Sequence, residues 1–291
     1  MNPRLRRENR IKTIHSSLDI EHNSLSLEQV TAIFDGKHIL GDPNEIKEVR
    51  NAYETYEMIL DLDPASVQDL LKVHKIMING LIPENGRFCS GGVGVFDEDI
   101  VAHMAPPAEF VPVQIQDLFD WYQHSEMHPL IKSAIFHYEF EFIHLFADGN
   151  GRMGRMWHSM LLGQWKELFY WLPVEELIRT RQKEYYDALG KSDKEADISA
   201  FVELILDIIA DTLKQTEAVG NAKSTPPTQV EKLLAALDDE TLSAFEMMER
   251  LGLSHRPMFR KNYLSPALEQ NLIEMTIPDK PNSRNQKYHK R

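Results

Sequence analysis

The chain has 291 residues, about twice the length of a typical domain, so we expect two domains, or one large domain with an appendage. Its 42% hydrophobic and 26% charged residues exclude wholesale disorder, its net charge of −13 argues against general nucleic-acid binding, and it has no apolar run of about 18 residues to span a membrane. The basic N-terminus lacks the apolar stretch of a secretory signal, and the single cysteine, Cys89, cannot form an internal disulfide, which together predict a cytoplasmic protein.

Apolar residues recur at helical spacing through most of the first two thirds of the chain. Ser26 is a good N-cap for a helix that stops at Gly36, the pair Asp42-Pro43 opens a second helix, and Pro64 opens a third that ends near Gly80. Further helices are predicted over residues 115–123, 129–143, 151–165, 174–189 and 198–216. The pattern is typical of an all-α fold.

One interval, residues 87–101, departs from the helical pattern and predicts a β-hairpin, or flap, on the helical body. It contains a run of glycines and β-favouring residues: Gly91, Gly92, Val93, Gly94 and Val95. Pro106-Pro107 closes the interval. A plain surface turn is the alternative interpretation.

The chain divides at residues 218–229, whose small, polar and Pro-rich composition is typical of a linker. We therefore expect a helical domain over residues 1–217 and a smaller domain over residues 230–291. The smaller domain begins with a predicted short helix, followed by Ser243-x-x-Glu246, a capping box that opens a second helix.

A tight turn at Gly252, a third helix that Ser254 caps, a strand over residues 273–277 and a basic loop complete the pattern of a winged helix-turn-helix. The last 40 residues carry eight Lys or Arg against three Asp or Glu, a net charge of +5 that leaves −18 for the rest. A recognition helix that presents Arg260 and Lys261 predicts DNA contact, whereas repulsion between the acidic body and phosphate favours protein contact or a homodimer. Both interpretations stay open.

The segment over residues 141–155 carries the clearest chemical signal, a helix, a glycine-rich turn and a second helix. Arg152 and Arg155 lie three residues apart near the start of the second helix, where the helix dipole is unfavourable for cations. Together with the free backbone N–H groups of residues 149–151, the two arginines predict a site for a polyanion such as phosphate.

Two side chains beside this turn suit metal binding and acid–base chemistry. Asp148 is a poor phosphate ligand but suits a divalent cation that is shared with the phosphates. His144 suits a general base, because a histidine side chain titrates near neutral pH. An alternative is that His137, Glu141 and His144, at positions i, i+4 and i+7 of one helix, bind a metal in a hydrolase.

The pattern H-x-F-x-D-G-N-G-R-x-x-R resembles the signature of Fic-domain adenylyltransferases, and the resemblance covers roughly residues 16–165. The pattern is filled here by His144, Phe146, Asp148, Gly149, Asn150, Gly151, Arg152 and Arg155. Leu145 stands at the position of the usual proline, which removes no reactive group. The resemblance implies a Fic-type helical core that transfers AMP from ATP to a Ser, Thr or Tyr hydroxyl of a target protein.

The resemblance also implies a role for each motif residue. His144 deprotonates the hydroxyl that attacks the α-phosphorus, Phe146 anchors the loop in the core, and Asp148 holds Mg²⁺ against the α- and β-phosphates. Arg152 and Arg155 clamp the β- and γ-phosphates. The residues implied to bind ATP are therefore Gly149, Asn150, Gly151, Arg152 and Arg155.

Two further segments resemble parts of this family. Ser17 and Glu21 fit its S/T-x-x-x-E autoinhibitory motif, which implies that Glu21 pairs with Arg155 and blocks the γ-phosphate site. His22 stands where the family has Gly or Asn. The predicted flap resembles the family's flap, whose exposed strand edge holds the target segment by backbone pairing.

Two other functions compete with this interpretation. The first is a related enzyme that moves another phosphate-containing group or mainly removes AMP, and the second is a DNA-binding regulator that senses a nucleotide. Arg152 and Arg155 together favour a triphosphate donor. Cys89 has no His or Lys nearby in the sequence, which argues against a catalytic thiol. A solvated face is expected for the N-terminal arginines Arg4, Arg6, Arg7 and Arg10.

Overall fold

The computed structural model describes residues 3–91, 94–97, 100–224, 229–238, 240–253, 255–281, 283 and 285–291. For residues 94–97, 100–104, 218–224 and 231 the description covers the backbone alone. Three predicted residues, Gly92 and Val93 of the flap and the cap Ser254, lie outside the described residues. The chain forms two compact units, Met1–Glu217 and Ala218–Arg291.

The first unit is mostly helical, which confirms the predicted fold class. Its helices are α1 (Pro3–Ile20), α2 (Leu27–Phe34), α3 (Pro43–Glu57), α4 (Val67–Met77), α5 (Val111–His124), α6 (Pro129–Ile143), α7 (Asn150–Trp165), α8 (Val174–Thr180), α9 (Gln182–Glu195) and α10 (Ser199–Ser224). A 3₁₀ helix, Glu167–Trp171, follows α7, and strands β1 (Gly94–Asp97) and β2 (Ile100–Met104) form an antiparallel hairpin. No helix in the described part of the chain has both the length and the apolar character that a bilayer crossing requires.

Local capping explains where several helices begin. Ser26 forms the predicted capping box at the start of α2. Helix α4 starts three residues after Pro64, because the side chain of Ser66 accepts a hydrogen bond from the first turn. The single helix predicted over residues 174–189 is wrong, since the backbone leaves helical geometry at Arg181 and separates α8 from α9.

The predicted linker begins later than its composition suggests. Helix α10 continues through residues 218–224, and residues 225–228 lie outside the described part of the chain. Once a helix is established, each added residue gains a hydrogen bond without a new nucleation step, so weak helix formers extend it.

Helix α1 lies in the interior of the first unit. It contacts α2, α3, α7 and α8. Ile14 and Leu18 belong to a hydrophobic cluster that includes Trp157 of α7, whereas Ile20 belongs to a second cluster that includes Phe201 of α10. Because α1 is enclosed on several sides, it has no single apolar stripe, and helical periodicity alone does not predict it.

The expectation of a solvated arginine face is wrong for Arg10. This residue is buried, and its guanidinium lies 4.9 Å from the ring centre of Tyr56 and 4.8 Å from that of Trp171. Aromatic faces attract a cation that has lost water, which explains how the interior accommodates the charge. The other three arginines, Arg4, Arg6 and Arg7, form ion pairs at or near the surface.

The second unit combines short helices with a small antiparallel sheet, an arrangement consistent with the predicted winged helix. It contains α11 (Gln229–Leu237), β3 (Leu242–Ser243), α12 (Ala244–Arg250), α13 (Arg256–Phe259), a π-helical turn (Arg260–Leu264), α14 (Ser265–Glu269), β4 (Ile273–Met275) and β5 (Lys287–Lys290). The antiparallel sheet has the order β3-β5-β4. Ser243 and Glu246 form the predicted capping box of α12, and His255 caps α13. Leu237, Met247 and Phe259 are in its core.

Candidate active site

The turn between α6 and α7 contains two left-handed residues and one bridging amide. Helix α6 ends at His144 (φ 50°, ψ 57°), and Gly149 (φ 85°) immediately precedes α7. Asn150 is 3% exposed, and its Oδ1 accepts the N–H of Phe146 at 2.9 Å while its Nδ2 donates to Phe146 O at 2.8 Å. The side chain of Asn150 therefore closes the loop, and the anion contact predicted for the backbone N–H of this residue stays a prediction.

His74, which is part of no sequence motif, packs against this loop and bonds to it. His74 of α4 stacks on the buried ring of Phe146 at a centroid distance of 3.6 Å. Its Nδ1 accepts the N–H of Gly86 at 3.0 Å, so the proton is on Nε2, which donates to Asp148 O at 3.0 Å. Burial lowers the pKa of His74 to about 4, which keeps the ring neutral at pH 7. His74 lies on the buried face of α4 together with Leu70, so its spacing in the sequence does not distinguish it from a core residue.

The first turn of α7 has backbone N–H groups that the helix itself does not bond. The first N–H of α7 to bond along the helix is that of Met153, which donates to Gly149 O at 3.0 Å. The N–H groups before it have no acceptor within the helix, and their partial positive charge adds to that of the helix dipole. A Cβ at Gly149 would lie 2.6 Å from Cδ1 of Ile78, the C-cap of α4, so a larger residue would displace this side chain, and the left-handed φ of 85° also favours glycine.

Arg155 is buried beneath this N-terminus and bonds to α1 and the turn that follows it. It is 2% exposed, and its Nε donates to Ser17 Oγ at 3.1 Å and its Nη2 to Ser17 O at 2.9 Å. Nη2 also donates to Glu21 Oε1 at 2.7 Å, so the predicted Glu21–Arg155 contact is present. A Cβ at Gly151 would collide with Glu21 Oε1, which shows that the glycine lets this carboxylate approach the start of α7.

The turn that carries Glu21 is closed by a Schellman motif. Asn23 N–H donates to Leu18 O at 3.1 Å and His22 N–H donates to Asp19 O at 2.9 Å. His22 adopts the left-handed conformation (φ 68°) that the family's Gly or Asn would adopt more easily. The helix therefore ends as the motif requires, although a histidine occupies the position.

Arg152 has two carboxylate partners. It is 4% exposed, its Nη2 donates to Asp148 Oδ1 at 2.8 Å, and its Nη1 donates to Glu48 Oε1 at 3.3 Å. Asp148 lies one helical turn away and was expected at the site. Glu48 is on α3, and nothing in its local sequence distinguishes it from a solvated helix charge.

A fourth carboxyl group, that of Glu141, lies close enough to Arg155 to influence its charge. Glu141 Oε1 is buried against Gly154, where a Cβ would collide with it. Burial raises the pKa of Glu141 to about 7, the charge of Arg155 opposes this rise, and the charge of Glu21 adds to it. The site thus combines two buried arginines with a glutamate whose pKa is raised toward neutral pH.

The flap connects to the loop through its base. Cys89 N–H donates to Leu145 O at 3.0 Å, which joins the start of the flap to the residue after His144. In the hairpin, Gly94 pairs with Met104 and Val95 pairs with His103, and the register shifts after Val95. Burial raises the pKa of the Cys89 thiol, the reverse of what an attacking thiolate needs.

The alternative of a hydrolytic metal site on α6 is not supported. His137 Nε2 lies 2.9 Å from Tyr185 OH, so this ring is engaged in the core. Among the residues that the structure describes, no group of three or more His, Cys, Asp or Glu is placed to hold a metal. A single carboxylate, that of Asp148, still fits Mg²⁺, which proteins commonly hold by one or two carboxylates together with substrate phosphates.

Two family models match the chain. The Fic/DOC family matches residues 64–162, and the C-terminal domain of the filamentation-induced-by-cAMP protein Fic-like matches residues 228–289. A crystal structure of a Fic family protein from Desulfovibrio desulfuricans G20 is 51% identical, with a TM-score of 0.76, over 100% of this chain and 88% of that chain. The fold and the turn between α6 and α7 are those of a Fic-type protein. The chain belongs to the Fic family.

More distant relatives are also similar. The protein adenylyltransferase Fic of Drosophila willistoni is 29% identical over 222 residues, which are 72% of this chain and 42% of that protein. The chain therefore spans less than half of that curated relative. Fic-1 from C. elegans has a TM-score of 0.63 at 22% identity, covering 77% of this chain and 68% of that chain, which shows a shared fold.

Proposed function

We propose that this chain transfers AMP from ATP to a Ser, Thr or Tyr hydroxyl of a target protein. The observation that carries the proposal is the start of α7 with its two buried arginines, where the carboxylate of Glu21 bonds to Arg155 and lies against Gly151. An anion site that the protein fills with its own carboxylate suits a phosphate ligand. The relatives named protein adenylyltransferase support the same activity.

In this proposal His144 is the general base. Its nitrogen takes the proton of the target hydroxyl as the hydroxyl oxygen forms a bond to the α-phosphorus of ATP. The bond between the α-phosphorus and the bridging oxygen breaks, and pyrophosphate leaves. The N–H groups of residues 149–151 together with Arg152 and Arg155 hold the phosphates in line and stabilise the charge on the leaving group.

Asp148 is the residue that would hold Mg²⁺. Its side chain is 42% exposed, so it can accept a hydrated ion from solvent. The bound ion supplies charge neutralisation for the phosphates. Asp148 also accepts a hydrogen bond from Arg152, which keeps the carboxylate beside the phosphate site.

Glu21 acts in this proposal as an inhibitor in cis. Its carboxylate bonds to the guanidinium that would otherwise meet the γ-phosphate, and Ser17 also accepts hydrogen bonds from the same guanidinium. ATP must therefore displace Glu21 or bind in an unproductive pose. The flap would hold the target by backbone pairing along the edge of β1 and β2.

Mass spectrometry after incubation with ATP and Mg²⁺ tests this function. We expect Glu21→Gly to form an AMP adduct on itself or on a lysate protein, and His144→Ala in the same background to lower the rate by about 10²- to 10⁴-fold. ADP binding should survive in His144→Ala. An undiminished adduct in His144→Ala would refute the assignment of His144 as the general base. The absence of an adduct with Glu21→Gly would refute the proposed transferase activity.

A groove in the second unit favours DNA binding as a second candidate function. Its lining includes the basic side chains of Arg256 and Arg260 beside Gln286. We expect a gel shift that weakens with salt and is lost in Arg256→Ala with Arg260→Ala, because phosphate contacts release counterions. Removing the exposed Lys183 and Lys214 of the first unit is the matched charge control. No shift at low salt would end this candidate.

A further inference from the structure

Arg152 is an enclosed cation whose direction depends on its neighbours. It is almost fully buried, its Nε makes no hydrogen bond among the described residues, and both of its Nη groups bond to carboxylates. One carboxylate, Asp148, belongs to the same turn of the chain. The other, Glu48, is 104 residues away and reaches Arg152 only because α3 packs beside the site.

Glu48 is itself held in place. Its Oε2 accepts a hydrogen bond from Asn23 Nδ2 at 2.7 Å, while its Oε1 accepts from Arg152. Asn23 is buried, its Nδ2 also donates to Glu45 O at 3.2 Å, and its Oδ1 accepts the N–H of Leu25. Both oxygens of Glu48 are therefore engaged, and a buried amide fixes the carboxylate.

The two carboxylates that bond to Arg152 have different roles when a nucleotide binds. Asp148 would have to share its oxygens with Mg²⁺, which weakens its hold on Arg152. Glu48 is not assigned to Mg²⁺, so it stays bonded to Arg152 as a fixed anionic partner. Since Asn23 follows Glu21 by two residues, one short turn contacts Arg155 directly and Arg152 through Glu48.

We propose that Glu48 is a positioning residue that directs the guanidinium of Arg152 toward the nucleotide's β-phosphate, and that Asn23 fixes Glu48 for this task. The inference rests on the proposed function, because it takes a nucleoside polyphosphate as the ligand. Its consequence is that the turn after α1 has two opposite effects. Glu21 blocks one arginine, and Asn23 prepares the other.

The chain offers a matched control in Glu45. This residue lies one turn before Glu48 on α3, is similarly half-buried, and its carboxylate accepts from Ser24 N–H at 2.8 Å and Ser24 Oγ at 2.9 Å. Glu45 and Glu48 therefore bind the same turn of the chain. Of these two glutamates, Glu48 is the one whose carboxylate accepts a hydrogen bond from Arg152.

The experiment is calorimetry of ADP and AMP with Mg²⁺ on the full chain carrying Glu21→Gly, with and without Glu48→Gln or Glu45→Gln. We expect Glu48→Gln to weaken ADP binding about tenfold and AMP binding less than about twofold, because AMP lacks the β-phosphate. Glu45→Gln should leave both affinities unchanged. In adduct kinetics, Glu48→Gln should raise KM for ATP about tenfold with little change in kcat.

Three results would overturn the proposal: equal ADP affinity in the two variants, tighter ADP binding in Glu48→Gln, or an equal loss for ADP and AMP. If Glu48→Gln folds poorly, Asn23→Ala is the second variant, because it keeps the Glu48 carboxylate but removes the amide that fixes it. Asn23→Ala should weaken ADP binding more than Ser24→Ala does. Equal effects of Asn23→Ala and Ser24→Ala would also overturn it. Adduct formation by the Glu21→Gly parent reports separately on the proposed transferase.

Discussion

Neutralising Glu21 is expected to raise nucleotide affinity and lower stability at the same time. In Glu21→Gln the 2.7 Å contact with Arg155 loses its charge, while the bonds from Arg155 to Ser17 remain. A hydrogen bond to a charged group contributes about 1.5–3 kcal/mol. Because Glu21 competes with phosphate for the guanidinium, ATP binding should tighten by about 10- to 150-fold. The buried cation left behind should lower the free energy of unfolding by about 1–3 kcal/mol.

Asp19 provides the control for this experiment. Asp19 is near the same end of α1 and forms an ion pair of the same 2.7 Å with Arg179. The side chain of Arg179 is 35% exposed, whereas that of Arg155 is 1% exposed, so water screens the first pair more strongly than the second. Asp19→Asn should therefore leave ATP affinity unchanged and lower stability by less than about 1 kcal/mol.

The assays are calorimetric titration with ATP and Mg²⁺ and urea unfolding with and without ATP. Saturating ATP should restore the stability of Glu21→Gln, because the γ-phosphate replaces the lost carboxylate on Arg155. The competition argument is refuted if Glu21→Gln binds ATP no more tightly than the wild type does. Higher affinity without any loss of stability would instead refute the argument from the burial of Arg155.

Three further outcomes are expected from the same structure. His22→Gly should raise the free energy of unfolding by about 1 kcal/mol in urea, because glycine adopts φ 68° without strain, and a lower value would contradict this. Gly149→Ala should lower the free energy of unfolding by about 2 kcal/mol or more, because the new Cβ contacts Ile78 and the backbone φ of 85° is strained for alanine. Gly190→Ala is the control and should not lower it, since no atom lies within 4 Å of the new Cβ. Burial raises the pKa of Glu141 from 4.5 in the unfolded chain to about 7, so stability that is fully present below pH 4.5 is lost as pH rises through 7. The loss should approach about 3 kcal/mol by pH 8 in unfolding curves and disappear in Glu141→Gln, and equal pH dependence in both proteins would contradict the assignment.

One prediction from the sequence failed where a distant part of the chain supplies the environment. Arg10 lies at the N-terminus among other arginines, and only the packing of α1 against Tyr56 and Trp171 buries it. These two aromatic contact partners are not visible from the neighbours of Arg10 in the sequence. The predicted anion contact of Asn150 is made by its backbone N–H and stays a prediction, while its side chain bonds to both backbone groups of Phe146.

The local features of this protein follow from its sequence alone. The cap at Ser26, the capping box at Ser243 and the glycine-rich turn before α7 depend on hydrogen bonds between residues a few positions apart, which residue order specifies directly. The contact of Arg152 with Glu48 spans 104 residues and that of Arg155 with Ser17 spans 138. Such contacts form only when the apolar clusters bring the helices together. Because the burial of apolar surface is non-directional, the sequence alone does not predict which residues become partners.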